Sequence, residues 1–560
     1  MRNSFSRRSF LFASAAGAAV FDARTRALAE VPALSIGSPS APRPATHPLD
    51  PLTAAEIGEI DAVVKAQANL GPRTMYGWVQ LKEPPKSEVL AFVAGNDFRR
   101  EALVVALSPE ARTAYELVVD LRAKKLQYKK DLGDLQPFLT VEDFDSAAAV
   151  ADASPEVRLA LEKRGYTISG KISERFYIDV YAPGEDASTV ANGKTIRAAR
   201  CLFADKQGGI NEYGPYVEGL MVLVDLYGGT ILAVRDYHGA IAKRKIPQDV
   251  YDPQVLGPQK PLANLTTSPP TASRVVLDGN HVRWESWSFR LSFNQREGLV
   301  LHQIGFEDDG TMRSICYRAA VSEMLVPYSD PSPGWVWREF YDGGEYGLGA
   351  LAMEFQPGKE LPENAMTVDA VFASASLVPE VQPGRIFLYE RENGDLFGHV
   401  QDSDDRHIYA RSKELVVGFV TTVGNYDYVF MWVFRQDGSF DFVAELQGLI
   451  LNKTIDGTTC QVCAAELQGG PGVYEASLDQ AYGTLVSAQM LGVTHQHWIN
   501  LRLDFDIDGV ANAVEEYDVV RPAQDPQTNP AGRALTVKRT VFGTSREAVR
   551  ELSESTSRSW

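Results

Sequence analysis

The spacing of hydrophobic and polar positions changes near the middle of the chain. Residues 287–293 alternate between large apolar and polar side chains, which is the two-residue period of a strand with one buried face. An apolar run at 299–301 follows a glycine, and Asp-Gly pairs at 309 and 437 mark tight turns between strands. From about residue 270 onward, the pattern therefore predicts a large antiparallel β-domain.

The first half of the chain mixes helical and strand-like segments. Thr53, followed three positions later by a glutamate, is a capping signature of a helix start, and residues 155–161 show a second helical pattern. Apolar runs at 219–225 and 231–236 flank a Gly-Gly turn and predict a strand pair, and residues 88–93 predict a further short strand. These segments are typical of small α+β domains.

The predicted fold class is mixed, with two small α+β domains followed by a large antiparallel β-sandwich. A length of 560 residues is enough for several domains, and prolines cluster at 32–44 and at 253–270 as they do in linkers. The predicted segments are an export signal at 1–29, a linker at 30–46, small α+β domains at 47–147 and 148–252, and the β-sandwich at 270–560.

The first residues have the composition of an export signal. Arg7 and Arg8 precede a short apolar run of small residues that ends near Val20, and a small-x-small cleavage site lies at 27–29. Twin arginines before a mild apolar stretch indicate the bacterial twin-arginine route. We expect a periplasmic or secreted protein. The run is too short to span a bilayer and no later segment is long enough, so no membrane association is expected after the signal is removed.

The formal net charge of −18 excludes a nucleic acid as the expected partner, because phosphate binding requires clustered Lys and Arg. An acidic surface attracts cations instead. Of the four cysteines, Cys460 and Cys463 have the spacing of a redox motif or of half a zinc site. No second pair and no adjacent histidine accompany them, which favours a local disulfide or two ordinary thiols.

Two motifs in the β-domain carry candidate chemistry. His495 and His497 are two positions apart in a strand-like segment, so both imidazoles project from one face and can bind one copper or zinc ion, although such pairs also occur as surface or packing histidines. Asn425 and Tyr426 lie in an apolar stretch, where a tyrosine can simply be a buried aromatic residue with a satisfied hydroxyl.

A run of acids follows the histidines. Residues 504–515 satisfy the spacing of a helix-loop-helix calcium loop, with acids at 504, 506 and 508 and a glycine at 509. Residues 500–503 alternate as a strand where that motif needs an entering helix, so we reject it. On an unbroken strand, Asp504 and Asp506 point away from the histidines and form a separate, oxygen-rich site.

Several separated blocks resemble the copper-containing amine oxidases. They are residues 301–306, 317–331, 340–347 and 422–428, and they match the family in order and spacing over most of the chain from about residue 50. The resemblance implies that Tyr426 is converted in place to topaquinone and that His495 and His497 bind copper(II). It also implies that Asn425 orients the quinone ring.

The same resemblance implies roles for residues upstream and downstream of the cofactor. Asp342 takes the position of the catalytic base, Tyr328 that of the tyrosine that hydrogen-bonds the cofactor oxygen, and Phe340 that of the gate of the substrate channel. A peripheral calcium-like site would take the carboxylates of Asp504 and Asp506 and the Phe505 carbonyl.

The activity that the resemblance implies is the oxidative deamination of primary amines. The quinone carbonyl captures the amine, a buried carboxylate removes a proton from its α-carbon, and dioxygen is reduced to hydrogen peroxide while aldehyde and ammonia leave. The expected partners are a primary amine, dioxygen and a second copy of the chain in a homodimer. The preferred amine is not evident, because Trp335 and Trp337 near the gate fit either an apolar channel or the core.

The sequence departs from the family pattern in two ways. The paired cysteines expected downstream of the base motif have no counterpart near residues 358–361, and no histidine follows His497 to serve as a third copper ligand. We therefore interpret the chain as a C-terminally truncated member, with His399 and His407 as candidates to replace the third ligand. The alternative is a catalytically inactive homologue that keeps only the fold and its interface.

Overall fold

The computed structural model describes residues 44–237, 274–401, 406–455 and 482–560, apart from 185, 187–188, 192–193, 210–211 and 488. The export signal, most of the two predicted linkers, and Cys460 and Cys463 lie outside the described residues. Within the described ranges, every helix is too short or too polar to cross a bilayer.

The first small sheet is antiparallel, with strand order β1-β2-β3-β4. Its elements are α1 (Ala54–Gln67), β1 (Met75–Lys82), α2 (Lys86–Leu90), β2 (Glu101–Ser108), β3 (Thr113–Asp120) and β4 (Lys125–Asp131). Helix α1 begins where predicted, because the Thr53 side chain accepts from the Glu56 amide while the Glu56 carboxylate accepts from the Thr53 amide. Its apolar face packs against the sheet in one buried cluster.

The short strand predicted at residues 88–93 is wrong. Residues 86–90 form helix α2, whose N-cap is Pro85, and Val89 is the one buried residue of its single turn. Proline has no amide to donate and suits the start of a helix, and a short apolar run does not by itself distinguish helix from strand.

The second small sheet has the order β10-β9-β8-β5. Its part of the chain comprises α3 (Val141–Ala153), α4 (Pro155–Lys163), α5 (Ile172–Arg175), β5 (Phe176–Tyr181), β6 (Val190–Ala191), β7 (Lys194–Thr195), β8 (Ala198–Asp205), β9 (Leu220–Asp225) and β10 (Thr230–Asp236). The predicted helix at 155–161 and the strand pair around the Gly-Gly turn are confirmed. The boundary predicted at 147/148 falls inside α3, whose buried Ala147 and Ala151 pack in the same core as this sheet.

In the remaining described residues, the regular secondary structure is almost entirely β-strand. The strands are β11 (Val276–Asp278), β12 (His281–Trp284), β13 (Trp287–Asn294), β14 (Gly298–Asp308), β15 (Thr311–Pro327), β16 (Glu339–Tyr341), β17 (Met366–Ala373), β18 (Pro379–Gln401), β19 (Arg406–Val423), β20 (Tyr426–Arg435), β21 (Phe440–Gly448), β22 (Asn452–Thr454), β23 (Gly483–Ser487), β24 (Met490–Val493), β25 (Trp498–Phe505), β26 (Glu515–Val520) and β27 (Thr536–Val541). A one-turn π-helix at Asp342–Tyr346 follows β16, and a 3-10 helix lies at Glu554–Thr556.

Two antiparallel sheets form the sandwich. One contains β11 to β16 with β25 added beside β15, and the other contains β17 to β21. Strand β13 alternates buried and half-buried residues as predicted, and its Phe289 stacks on Phe434 of the facing sheet with ring centroids 4.6 Å apart. Phe293 packs edge-on against Phe419 at 5.4 Å. The predicted fold class, two small α+β domains and a large antiparallel β-sandwich, is confirmed.

Strand pairing brings three distant segments to one place. Leu325 near the end of β15 pairs with Tyr341 of β16 on one side and with Trp498 of β25 on the other. An isolated bridge pairs Tyr328 with His495 just beyond these strands. The residues that follow β16 and precede β25 therefore meet at the end of β15.

Candidate active site

Tyr426 opens strand β20 after a tight turn at Gly424, whose φ of +58° is a left-handed conformation that glycine adopts without strain. Its side chain is half-buried, and its hydroxyl lies 3.0 Å from His495 Nε2. The amide of Leu451 also approaches this hydroxyl, at 3.4 Å. The sequence motif and the histidine pair, 69 residues apart, thus form one cluster.

The two histidines lie side by side, with ring centroids 5.0 Å apart. His495 Nδ1 lies 2.8 Å from the Val493 carbonyl, so it is the protonated nitrogen and the lone pair of Nε2 faces Tyr426. His497 Nδ1 is buried and has no hydrogen-bond partner. Burial, and then the neighbouring His495, lower the pKa of His497 to about 4, so its ring is neutral near pH 7. Neutral imidazoles with bare nitrogens are copper or zinc ligands.

The pair therefore fits a copper ion as two imidazole ligands. Among the described residues, however, no group of three or more His, Cys, Asp or Glu side chains is arranged to hold a metal ion. His399 and His407 lie near the tip of the hairpin formed by β18 and β19, and β19 runs about 50 Å from His407 to Val423 at the usual rise per residue. Within one chain, they cannot reach the ion that His495 and His497 would hold.

Tyr328 and Asn425 also lie at this cluster. The Tyr328 ring stacks on His495 at 4.6 Å, and its hydroxyl is hydrogen-bonded with Tyr426. Burial and the Tyr426 phenol raise the pKa of Tyr328 well above its ordinary value, so it remains protonated and can donate. The Asn425 amide nitrogen donates to the Leu449 carbonyl, which fixes the residue that precedes Tyr426.

Asp342 is the first residue of the π-helical turn and is only 3% exposed. Burial raises its pKa well above the ordinary value, and the charges of Glu345 and Glu323 add to the effect. Asp342 in turn acts on Tyr428, whose pKa is raised first by burial and then by this carboxylate. Tyr428 points to the same side of β20 as Tyr426, with ring centroids 6.1 Å apart. The carboxyl group therefore lies next to the strand that carries the tyrosine.

Phe340 lies in an aromatic cluster rather than at an open surface. Its ring stacks on Tyr181 of the second small sheet at 5.4 Å and meets Tyr328 edge-on at 5.9 Å. Trp337 is buried against Phe340 and Trp335 against Tyr328, at 9% and 1% exposure. The two tryptophans thus pack as core residues, and Phe340 links the second small domain to Tyr328.

A lysine lies where a second, calcium-like site is expected. Lys86 Nζ of helix α2 is 2.7 Å from Asp504 Oδ1 and 3.8 Å from Asp506 Oδ2, and it also lies 4.7 Å from the centre of the Tyr317 ring. Asp506 is 2% exposed and its Oδ1 has no partner. An ammonium group already lies between the two carboxylates and offsets one of their two negative charges, and the donor set does not fit an additional cation unless Lys86 moves.

Sequence patterns did not identify three charged residues of these sites, namely Glu323, Glu345 and Lys86. Burial raises the pKa of Glu345 to about 7, and backbone donation by Tyr341 opposes this shift only in part. Glu345 belongs to the same one-turn helix as Asp342, so the acid at position 345 was a signal available in the sequence. Lys86 and Glu323 reach their partners only through the tertiary fold.

Comparisons with known proteins identify the family of this chain. The family model for the copper amine oxidase enzyme domain matches residues 274–560, and the model for the copper amine oxidase N2 domain matches residues 47–131. The chain is similar to the primary amine oxidase of Klebsiella aerogenes, with 30% identity over 495 residues, covering 88% of this chain and 62% of that protein. It is similar to the histamine oxidase of Arthrobacter globiformis, with 29% identity over 520 residues, covering 92% and 72%.

A solved structure shows the same fold. The copper-containing benzylamine oxidase from Hansenula polymorpha superposes with a TM-score of 0.78 at 22% identity, covering 91% of this chain and 78% of that one. The present chain spans less than two thirds of the length of the Klebsiella relative, and 75% of a primary amine oxidase of an Arthrobacter species to which it is 30% identical. Together, the two family models and these relatives establish that the chain belongs to the copper amine oxidase family.

Proposed function

We propose that this chain oxidises primary amines with dioxygen, releasing aldehyde, ammonia and hydrogen peroxide, and that Tyr426 is the precursor of a topaquinone. The observation that supports this most directly is the 3.0 Å separation of the Tyr426 hydroxyl from His495 Nε2, with His497 beside it. A copper ion held by these imidazoles would, with dioxygen, supply the oxidation of the phenol to a quinone whose carbonyl captures the amine.

The other side chains have roles that follow from their contacts. Asp342, desolvated and flanked by acids, is a strong base once ionised and removes the proton from the α-carbon of the bound amine. Tyr328 stays protonated and donates to the oxygen at position 426. Asn425 holds the turn that carries the ring, and Phe340 closes the aromatic wall beside Tyr328.

One observation favours a second candidate function. The described residues contain no third metal-binding side chain at the histidine pair, and a site with two imidazoles binds copper more weakly than one with three. The alternative is a family member that keeps the fold and its interface without forming the quinone.

Copper loading in air distinguishes an active amine oxidase from an inactive homologue. Purified chain given copper(II) should develop a quinone absorbance and a coloured phenylhydrazine adduct, and mass spectrometry should show the added oxygen on the peptide that contains Tyr426. Tyr426→Phe should show none of these signals. Wild-type protein that remains unmodified at position 426 would exclude the oxidase proposal and leave the inactive homologue.

Three further features remain predictions. Export by the twin-arginine route, a homodimer and a calcium-like ion at Asp504 and Asp506 are each consistent with the sequence, and the last requires displacement of Lys86. Sedimentation of the purified protein tests the dimer, and localisation of the wild type against an Arg7→Lys, Arg8→Lys variant tests the export route.

A further inference from the structure

The turn that carries Asp342 rests on a carboxylate from another strand. Glu323 lies on β15, and its Oε1 accepts from the amides of Gly343 at 2.7 Å and Gly344 at 3.2 Å, and from its neighbour Met324 at 3.0 Å. Consecutive backbone amides that converge on one oxygen form an anion seat. This seat follows directly on Asp342 in the chain, so its occupant constrains the backbone of the proposed base.

The two glycines are needed because the carboxylate approaches so closely. A Cβ atom added to Gly343 would lie 2.9 Å from Glu323 Oε1, and one added to Gly344 would lie 3.0 Å from Oε2. Neither glycine is among those with positive φ, so their backbone conformation does not by itself require glycine. The Gly-Gly pair and Glu323 therefore form one structural unit.

An arginine compensates the charge of this seat. Arg296, in the turn between β13 and β14, places Nη2 3.2 Å from Glu323 Oε2 and Nη1 2.9 Å from the Ser322 carbonyl. The Arg296 carbonyl accepts from Leu348, just after the π-helical turn, at 2.9 Å. Arg296 thus holds both the Glu323 carboxylate and the end of the π-helical turn in place.

We propose that Glu323 is a positioning residue for amine oxidation, holding the Asp342 turn through Gly343 and Gly344 and presenting a negative charge to the base. The proposal rests on the proposed function, because it assigns importance to Asp342 as the base. The titratable groups that face Asp342 are Glu345 and Tyr346 of its own turn, Glu323 of β15 and Tyr428 of β20. Arg296 lies behind Glu323. The like charge of Glu323 raises the pKa of Asp342 in support of this arrangement.

Two substitutions at one position separate geometry from charge. Glu323→Ala removes the acceptor, and the rate of quinone reduction by amine should fall by about 10²-fold with little change in KM, as expected for a displaced catalytic group. Glu323→Gln keeps an oxygen for the two amides, so most of the rate should return. Because the like charge is gone, the pKa of Asp342 falls and the acid limb of the pH-rate profile moves to lower pH. Glu339 is an exposed carboxylate on the strand that leads into the turn, so Glu339→Gln is the matched control. It should change neither the rate of quinone reduction nor the pH-rate profile.

Two measurements keep this proposal separate from the oxidase proposal. Phenylhydrazine titration gives the quinone content of each variant, so a loss of cofactor is not mistaken for a loss of base. Hydrogen exchange of the peptide spanning 338–348 should accelerate in Glu323→Ala relative to wild type, whether or not the protein turns over. If the wild type is inactive but the exchange difference is present, only the oxidase proposal is excluded. The positioning role of Glu323 is overturned if hydrogen exchange of this peptide is unchanged in Glu323→Ala. It is also overturned if both Glu323 variants reduce the quinone at the wild-type rate with an unshifted pH-rate profile.

Discussion

Glu297 and Asp342 are two buried carboxyl groups in the same β-domain, at 9% and 3% exposure, and they are in opposite electrostatic states. Burial alone raises the pKa of both. For Glu297, the hydrogen bonds and charge of Arg318, with Nη1 at 3.2 Å and Nη2 at 2.8 Å, outweigh burial and lower the pKa. Among the described residues, no ion pair compensates Asp342, whose neighbours Glu345 and Glu323 are also acids.

The difference between these two groups shows that a counter-ion decides whether a buried carboxyl group is held ionised. Glu297 is held ionised and joins the turn before β14 to β15, where Arg318 also pairs with Glu83 of the first small domain at 3.1 Å. Asp342 is left uncompensated, which costs stability when it is ionised but makes it a stronger base. Burial of two carboxyl groups in one domain thus yields a structural ion pair at Glu297 and an uncompensated group, the proposed base, at Asp342.

The largest expected effect comes from removing the base. Asp342→Asn should lower the rate of quinone reduction by about 10²–10⁴-fold, the usual contribution of a general base, because an amide cannot accept the α-proton. The quinone itself should still form, since Asp342 does not contact the histidine pair. Stopped-flow reduction by benzylamine, normalised to phenylhydrazine-reactive quinone, measures this. A rate within a few-fold of wild type would exclude Asp342 as the base.

Breaking the compensated partner should affect stability instead. Arg318→Met leaves Glu297 buried without a counter-ion, which typically costs about 3–5 kcal/mol of unfolding free energy. Arg313→Met is the matched control, because Arg313 pairs with Asp508 at the surface and such pairs contribute about 0–1 kcal/mol. Urea unfolding of both variants measures the contrast. Equal urea midpoints for Arg318→Met and Arg313→Met would show that buried Glu297 does not depend on Arg318 as its counter-ion.

The comparison also predicts a pH dependence of stability. A carboxyl group whose pKa is raised in the folded state binds its proton more tightly there than in the unfolded chain, so folding loses stability as pH rises above the ordinary value of 3.8. Asp342→Asn removes this loss. Its melting temperature should exceed that of wild type near neutral pH, and the gain should shrink toward about pH 4. A variant that melts at or below the wild-type temperature at neutral pH contradicts the uncompensated state of Asp342.

The smallest effect is expected at Lys86, whose ion pair with Asp504 is partly exposed, with side chains 25% and 44% accessible. Lys86→Met should cost about 0–1 kcal/mol, as for other partly exposed pairs. It also leaves Asp504 and the buried Asp506 without a cation, so millimolar calcium should raise the melting temperature of the variant more than that of wild type. Magnesium at equal concentration is the control. Equal responses of both proteins would show that Lys86 does not occupy the place of an ion.

Local sequence predicted several elements and one residue pair, because their types and spacings are themselves the signal. The helix start at Thr53 follows from a capping box, and the buried alternation of β13 follows from the pleat of a strand. The pairing of His495 with His497 follows from a two-residue spacing. The motif around Tyr426 and the aspartate at position 342 were recognisable without coordinates through their resemblance to the copper amine oxidases.

Local sequence failed where the deciding contact lies far away in the chain. Residues 88–93 have apolar character that suits a strand, but the described strands include no pairing partner for this segment, and residues 86–90 form helix α2. Lys86 meets Asp504 across 418 positions, which replaces an expected ion by an ammonium group. The role of Glu323 depends on the pairing of β15 with β16, which no periodicity encodes.

The sequence by itself predicted the fold class and the histidine pair, because periodicity and short-range spacing carry both, and its resemblance to the copper amine oxidases picked out the tyrosine and the acid proposed as base. Only the tertiary structure decided which carboxylates receive a counter-ion and which do not. That choice depends on strands and turns brought together by burial of the sandwich core, and it separates Glu297, held ionised by Arg318, from Asp342, held among other acids.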